Sequence, residues 1–156
     1  MRYSHRQDKQ DKYDAITVDL CRVTRVVAGG KRMSFRATVV VGTRSGEIGL
    51  GVGKGLDVAQ ALDKAKTNAK KHVMRVVIKD GTIPHEVMGK FGAAHVLIKP
   101  AAKGRGIIAG SSVRSILTLA GYSDISAKIL STTKNKLNNA QAALVALQSV
   151  MVFQKK

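Results

Sequence analysis

Glycine stands at positions 49, 51 and 53, alternating with Ile48, Leu50 and Val52. Successive residues of a strand point to opposite faces, so an extended segment here has branched aliphatic side chains on one face and bare backbone on the other. Glycine weakens a strand through its extra conformational freedom and packs nothing itself, so the pattern makes sense where another backbone, or a ligand, approaches the sheet closely. The flanking residues supply the rest of a small domain. Ile16 to Val27 is rich in β-branched residues and ends at Ala28-Gly29-Gly30-Lys31, which reads as a strand and a turn. Phe35, Ala37, Val39 and Val41 alternate with Arg36, Thr38 and Val40, predicting a half-buried strand that Gly42 to Gly46 connects to the glycine strand. Residues 57–78 carry Val58, Ala61, Leu62, Ala65, Ala69, Val73, Val76 and Val77 at helical spacing, with Lys64, Lys71 and Arg75 on the other side. The order is β-β-β-α, a three-stranded sheet with one helix on its back.

Asp80-Gly81, with Pro84 close behind, punctuates the chain and predicts a domain boundary near residue 80. Beyond it, residues 83–88 and 94–100 read as strands and Gly104-Arg105-Gly106 as a loop. Ser111 or Ser112 can cap a helix with the apolar stripe Val113, Ile116, Leu117 and Ala120, closed by Gly121. A strand over about 124–131 and a helix over about 136–151 complete a β-β-α-β-α order. The predicted organisation is a polar, charged arm over 1–14, a first domain over 15–80 and a second over 81–156. Domains of this size bury only about 60% of their unfolded surface, so the two gain by packing on each other or on a partner.

Charge narrows the function. The 156 residues hold 27 Lys and Arg against 10 Asp and Glu, a net charge of +17. Such an excess repels itself in a compact fold and is relieved by a polyanionic partner. Every strong apolar stretch is broken by Lys, Arg or Gly, so no membrane-spanning helix is predicted. A single cysteine, Cys21, forbids an internal disulfide framework and fits a reducing compartment. With no apolar signal region at the start, cytoplasm is the expected location.

Three motifs imitate enzymes. Gly49 to Gly55 suggests a phosphate loop, but Ile48 stands where the pattern requires its first Gly, and Gly55 follows Lys54 where Ser or Thr should hold magnesium. Lys54 and the amides opening the next helix can still hold an RNA phosphate. Gly104, Gly106 and Ala109 match G-x-G-x-x-A with Asp124 further on, but that acid falls at the start of its strand instead of the carboxyl end where it would reach a ribose. A tight strand-to-helix turn explains the glycines. Gly110-Ser111-Ser112 ahead of a helix loosely matches small-molecule kinases, yet Glu86 and Asp124 are the only carboxylates after residue 80, too few for magnesium and a base. His5, His72, His85 and His95 show no metal-ligand spacing. No catalytic constellation, cofactor, metal or small-molecule substrate is expected.

The basic residues remain. Arg22, Arg25, Lys31, Arg32, Arg36 and Arg44 lie on or between the first strands and converge on the Gly29-Gly30 turn. A solvated surface is the ordinary reading of such residues, and the scarcity of acids weakens it. Aromatic residues make up only 4% with no Trp, which disfavours base-stacking platforms. Charge without aromatics favours structured RNA held through phosphates, sugars and shape. A small phosphotransferase, which would be stabilised by ATP and need magnesium, and a general RNA chaperone, which would bind many duplexes without preference, are the rival readings.

Arg22-Val23-Thr24-Arg25-Val26-Val27-Ala28-Gly29-Gly30-Lys31-Arg32-Met33-Ser34-Phe35 resembles the signature of the small-subunit ribosomal protein five family. The resemblance continues through Val40-Val41-Gly42, Gly49 to Lys54, Pro100-Ala101, Gly106 to Gly110, Arg114, Ala120-Gly121 and Asp124 to Lys128, covering roughly residues 16–150. It implies an α/β (α+β) fold: an N-terminal double-stranded-RNA-binding-like domain, then a two-layer domain with a left-handed crossover. It also implies a non-enzymatic constituent of the small ribosomal subunit that binds 16S-type rRNA at the head–body junction. Small-subunit proteins four and eight are the implied neighbours, messenger RNA enters nearby, and translational accuracy is the implied role. Carried over by position, Gly29, Gly30, Lys31, Arg32 and Ser34 become loop contacts to rRNA. Arg22, Arg25, Arg36, Lys54, Lys64 and Lys71 extend the basic surface, and Gly104 and Arg114 face protein four. Two departures stand out: Ala28 where the family usually has Lys, and Asn135-Lys136-Leu137-Asn138-Asn139-Ala140-Gln141 where it has Asn-Pro-x-Asn-x-x-Arg.

Overall fold

The computed structural model describes residues 12–152, with Met151 and Val152 as backbone only. The predicted arm lies outside these residues except for Lys12, Tyr13 and Asp14. Strands β1 (Asp14–Val27), β2 (Gly30–Gly42) and β3 (Glu47–Gly55) lead into helix α1 (Val58–Lys71) and the short strand β4 (Val73–Arg75). Then come β5 (Val87–Phe91), β6 (Ala94–Pro100), β7 (Ile107–Ile108), α2 (Ser111–Ala120), β8 (Ile125–Ile129) and α3 (Lys136–Val152). The first sheet is antiparallel in the order β1-β2-β3-β4, and the second has the order β5-β6-β8-β7. In the second, β7 runs parallel to β8 with α2 as the crossover between them.

The glycine strand explains the first half. Its register sets Gly49, Gly51 and Gly53 opposite Val41, Val39 and Ala37 of β2, all on one face. There α1 lies directly on the backbone: a Cβ at Gly51 would collide with the Ala65 carbonyl and the Ala69 amide, and one at Gly53 with the Ala61 carbonyl and the Ala65 amide. The helix answers with its thinnest ridge, Ala61, Ala65 and Ala69, all fully buried. Of the two possible occupants of the glycine face, backbone or ligand, it is this domain's own helix. Gly89 of β5 repeats the arrangement under α3, where a Cβ would meet the Ala142 carbonyl and the Ala146 amide.

The opposite face of the first sheet is not solvated. Val40 and Ile48, with Ile16, Val18 and Leu50 packed alongside, share one core with Val113, Leu117, Leu119 and Leu147 of the second half. Strand β2 is therefore buried at every residue from Ala37 to Gly42, where alternation predicted a half-buried strand.

Other boundaries shift for similar reasons. The predicted helix over 57–78 ends at Lys71, and Val73, Met74 and Arg75 instead pair with Gly49, Ile48 and Glu47. A segment beside the free edge of β3 gains ladder hydrogen bonds there, which offset the helical bonds it forgoes. The loop that the resemblance implied from Gly29 to Ser34 shrinks to Ala28 and Gly29, because Val27 pairs with Gly30, whose φ of 122° glycine alone adopts comfortably. The strand expected at 83–88 forms at Val87–Phe91, where Gly89 fits under α3. Gly110, not Ser111 or Ser112, occupies the N-cap of α2 and Ser112 is buried in its first turn, while Gly121 closes the helix in the left-handed conformation as predicted.

Candidate nucleic-acid interface

Strand β3 stops at Gly55, opposite Phe35, while β1 and β2 run on together to the turn. Beyond Phe35, among the described residues, the ribbon is two strands wide and one edge of β2 has no neighbouring strand. A groove of about 650 Å³ opens there, between the ribbon and the end of β3. Six residues singled out in the sequence line it: Arg22, Arg25, Lys31, Arg32, Ser34 and Lys54. Two were not foreseen, Met33 and Leu56, the latter 73% exposed. Nothing in the sequence marks them except that Leu56, between Gly55 and Asp57, lies off the α1 stripe.

The electrostatics of the groove are one-sided. Arg25 sits directly across from Arg32 in the ribbon register, a like-charge pair that costs up to about 1 kcal/mol. Among the described residues none of its five cations forms an ion pair. Four of the described carboxylates form ion pairs elsewhere: Glu47 with Lys12 and Arg75, Asp14 with Arg44, Glu86 with Lys99, and Asp19 with Arg36 and Lys136. Among the described residues no aromatic ring lines the groove, so it is suited to phosphates and sugars more than to stacked bases. At the tip, a Cβ at Gly29 or Gly30 would meet nothing within 4 Å, leaving the turn open to a partner.

The remaining predicted residues lie apart. Arg36, at the base of the ribbon, places Nη2 3.8 Å from Asp19 Oδ2 and 3.9 Å from Cys21 Sγ, outside the groove. Lys64 and Lys71 flank a separate shallow depression on α1 with Asp63, Thr67 and Asn68. Gly104 lies in open space at a φ of 85°, and exposed Arg114 donates from Nη2 to the Ile107 carbonyl at 2.7 Å.

The two best enzyme imitations resolve structurally. The glycines of the phosphate-loop imitation are covered by α1. Asp124 clamps the loop before α2, its Oδ1 accepting the Gly106 amide at 2.8 Å. That amide, with Ser123 and the amides of Gly104 and Arg105 adding less, holds the Asp124 carboxyl below its ordinary range. A depressed carboxylate contributes above its unfolded pKa, and the contribution is lost as pH falls through the lower folded value. Asp124→Ala should therefore abolish protection of the Gly106 amide in hydrogen exchange at neutral pH. Unchanged protection would show that the clamp is not what holds the loop.

Comparison with known proteins adds to this geometry. Residues 14–77 match the family model described as ribosomal protein S5, N-terminal domain, and residues 89–156 match ribosomal protein S5, C-terminal domain. Small ribosomal subunit protein uS5 of Synechococcus elongatus is 48% identical over 151 residues, covering 96% of this chain and 83% of that protein. Protein uS5c of Rhodomonas salina is 48% identical over 148 residues, covering 94% and 88%. Protein uS5 of Thermotoga neapolitana is 42% identical over 146 residues, covering 94% and 82%.

Proposed function

The chain belongs to the ribosomal protein S5 family of structural, non-enzymatic constituents of the small ribosomal subunit, and from that premise we propose that its ribbon groove is the principal rRNA contact. One observation carries the proposal: Arg22, Arg25, Lys31, Arg32 and Lys54 converge on one concavity without a carboxylate partner among the described residues. Phosphates entering the groove replace condensed counterions with fixed cations and relieve the Arg25–Arg32 repulsion. Open backbone at Gly29 and Gly30 lets the tip enter between rRNA helices at the head–body junction, where Ala28 offers one cation fewer than the family's usual Lys. Arg36, Lys64 and Lys71 belong to the wider basic surface and not to this groove. The second half, with Gly104 and Arg114 at its exposed loop and helix, supplies the face toward proteins four and eight. Placement beside the path of incoming messenger RNA makes support of translational accuracy the physiological role. Sedimentation of native lysate through sucrose, before and after a high-salt wash, tests the reading. The chain should travel with small subunits and survive the wash; free protein at the top of the gradient would overturn it.

A further inference from the structure

The ribbon that carries the groove leaves the three-stranded part of the sheet at Phe35, and a cluster of polar side chains is gathered just on the body side of that point. In β1 the register jumps between Thr17 and Asp19, leaving Val18 as a bulge packed into the shared core. A bulge bends its strand and re-aims the residues beyond it. Immediately past it, Asp19 sits opposite Thr38 and Cys21 opposite Arg36. The Asp19 side chain is only 17% exposed, yet three groups converge on it. The Cys21 thiol donates to Oδ2 at 3.0 Å, Arg36 Nη2 lies 3.8 Å from the same oxygen, and Lys136 Nζ donates to Oδ1 at 3.2 Å.

Lys136 is the informative member. It is the first residue of α3, in the second half of the chain and 117 positions from Asp19. A cation in the first turn of a helix opposes the helix dipole. The helix start does not need it, because Asn135 Oδ1 already accepts the amides of Leu137 and Asn138 at 3.1 and 3.4 Å. The carboxylate of Asp19 is the group that offsets this unfavourable placement.

We propose that Asp19 is a positioning residue. By joining Arg36 and Cys21 of the ribbon base to Lys136 of α3, it sets the angle at which the ribbon, and the groove on it, leaves the body. Arg36 Nε and Thr38 Oγ1 are buried there without a hydrogen-bonding partner among the described residues. Removing Asp19 would leave the guanidinium without its counterion in a half-buried site, which forces rearrangement. The bulge bends β1 and the carboxylate fixes the bend against α3. The inference concerns how the ribbon is aimed and holds whichever polyanion the groove takes.

The test is a distance distribution between spin labels on the full chain, at Ala28→Cys on the tip and Gln148→Cys on α3, in a Cys21→Ser background that keeps a donor toward Asp19. The parent should give one narrow distance. Lys136→Met, which breaks only the pairing of Asp19 with α3, should lose that single distance and give a broad distribution, with the far-ultraviolet circular dichroism unchanged. Lys136→Arg should retain the narrow distance, and Asp19→Asn should broaden it as Lys136→Met does. A narrow, unshifted distance in both Lys136→Met and Asp19→Asn would overturn the proposal.

Discussion

Gly51→Ala should cost roughly 3–5 kcal/mol, a large part of the stability of a domain this size. The added methyl lands on the Ala65 carbonyl and the Ala69 amide, with Ala69 Cα 2.8 Å away. All three are backbone, so no side chain can rotate aside. Relief requires α1 to lift from the sheet. Lifting opens the cluster of Ala37, Val39 and Val41 against Ala61, Ala65 and Ala69, with Phe35, Leu62 and Val73 at its margin. Urea unfolding should show the midpoint falling at unchanged slope, which isolates a change in stability from a change in compactness. Gly29→Ala is the matched control: its Cβ meets nothing within 4 Å, so it should stay within about 0.5 kcal/mol of the parent. If Gly51→Ala unfolds at the parent midpoint, the account of the glycine face is wrong.

That glycine face also marks what a sequence can show. Its period of two and the period of four of Ala61, Ala65 and Ala69 are both local, and together they describe a bare sheet meeting a thin helix. The fate of Val73 to Ile78 is not local. Those residues satisfy helical spacing, yet the free edge of β3 takes Val73, Met74 and Arg75 into the sheet, and Val76 to Ile78 are neither helix nor strand. The double burial of β2 likewise depends on Val113 and Leu117, which lie more than seventy positions away. In the groove, Arg22, Arg25, Lys31 and Arg32 are legible because they crowd a turn in a chain short of acids, Lys54 because it precedes the amides that open α1, and Ser34 only through the family resemblance. Arg36 looked identical to its neighbours. What separates it is Asp19, which the bulge and Lys136 hold in place, and no spacing rule links positions 19 and 136. Met33 and Leu56 escaped because exposed aliphatic residues carry no pattern until a surface exists to place them.

Lys31→Glu combined with Arg32→Glu should move binding and stability in opposite directions, a signature that general damage to the fold cannot produce. Both side chains line the groove, both are exposed, and neither forms an ion pair among the described residues. Reversing Arg32 turns its repulsion with Arg25 into an attraction, so the thermal midpoint should hold or rise, by an amount equivalent to about 0.2–1 kcal/mol. Binding of the purified chain to small-subunit rRNA should weaken steeply. Each phosphate contact contributes roughly −0.7 to −0.9 to the slope of log affinity against log salt, so losing two should flatten the slope by roughly 1.4 to 1.8. Filter binding across a salt series, beside thermal melts of the same preparations, reads both quantities. Lys64→Glu with Lys71→Glu reverses the same amount of charge on α1, outside the groove, and so separates a local contact from the general field of a +17 chain. If the two double variants flatten the slope equally, the RNA responds to net charge and the groove has no special place. A flattening confined to the ribbon variant assigns the phosphate contacts to the concavity between β2 and the end of β3.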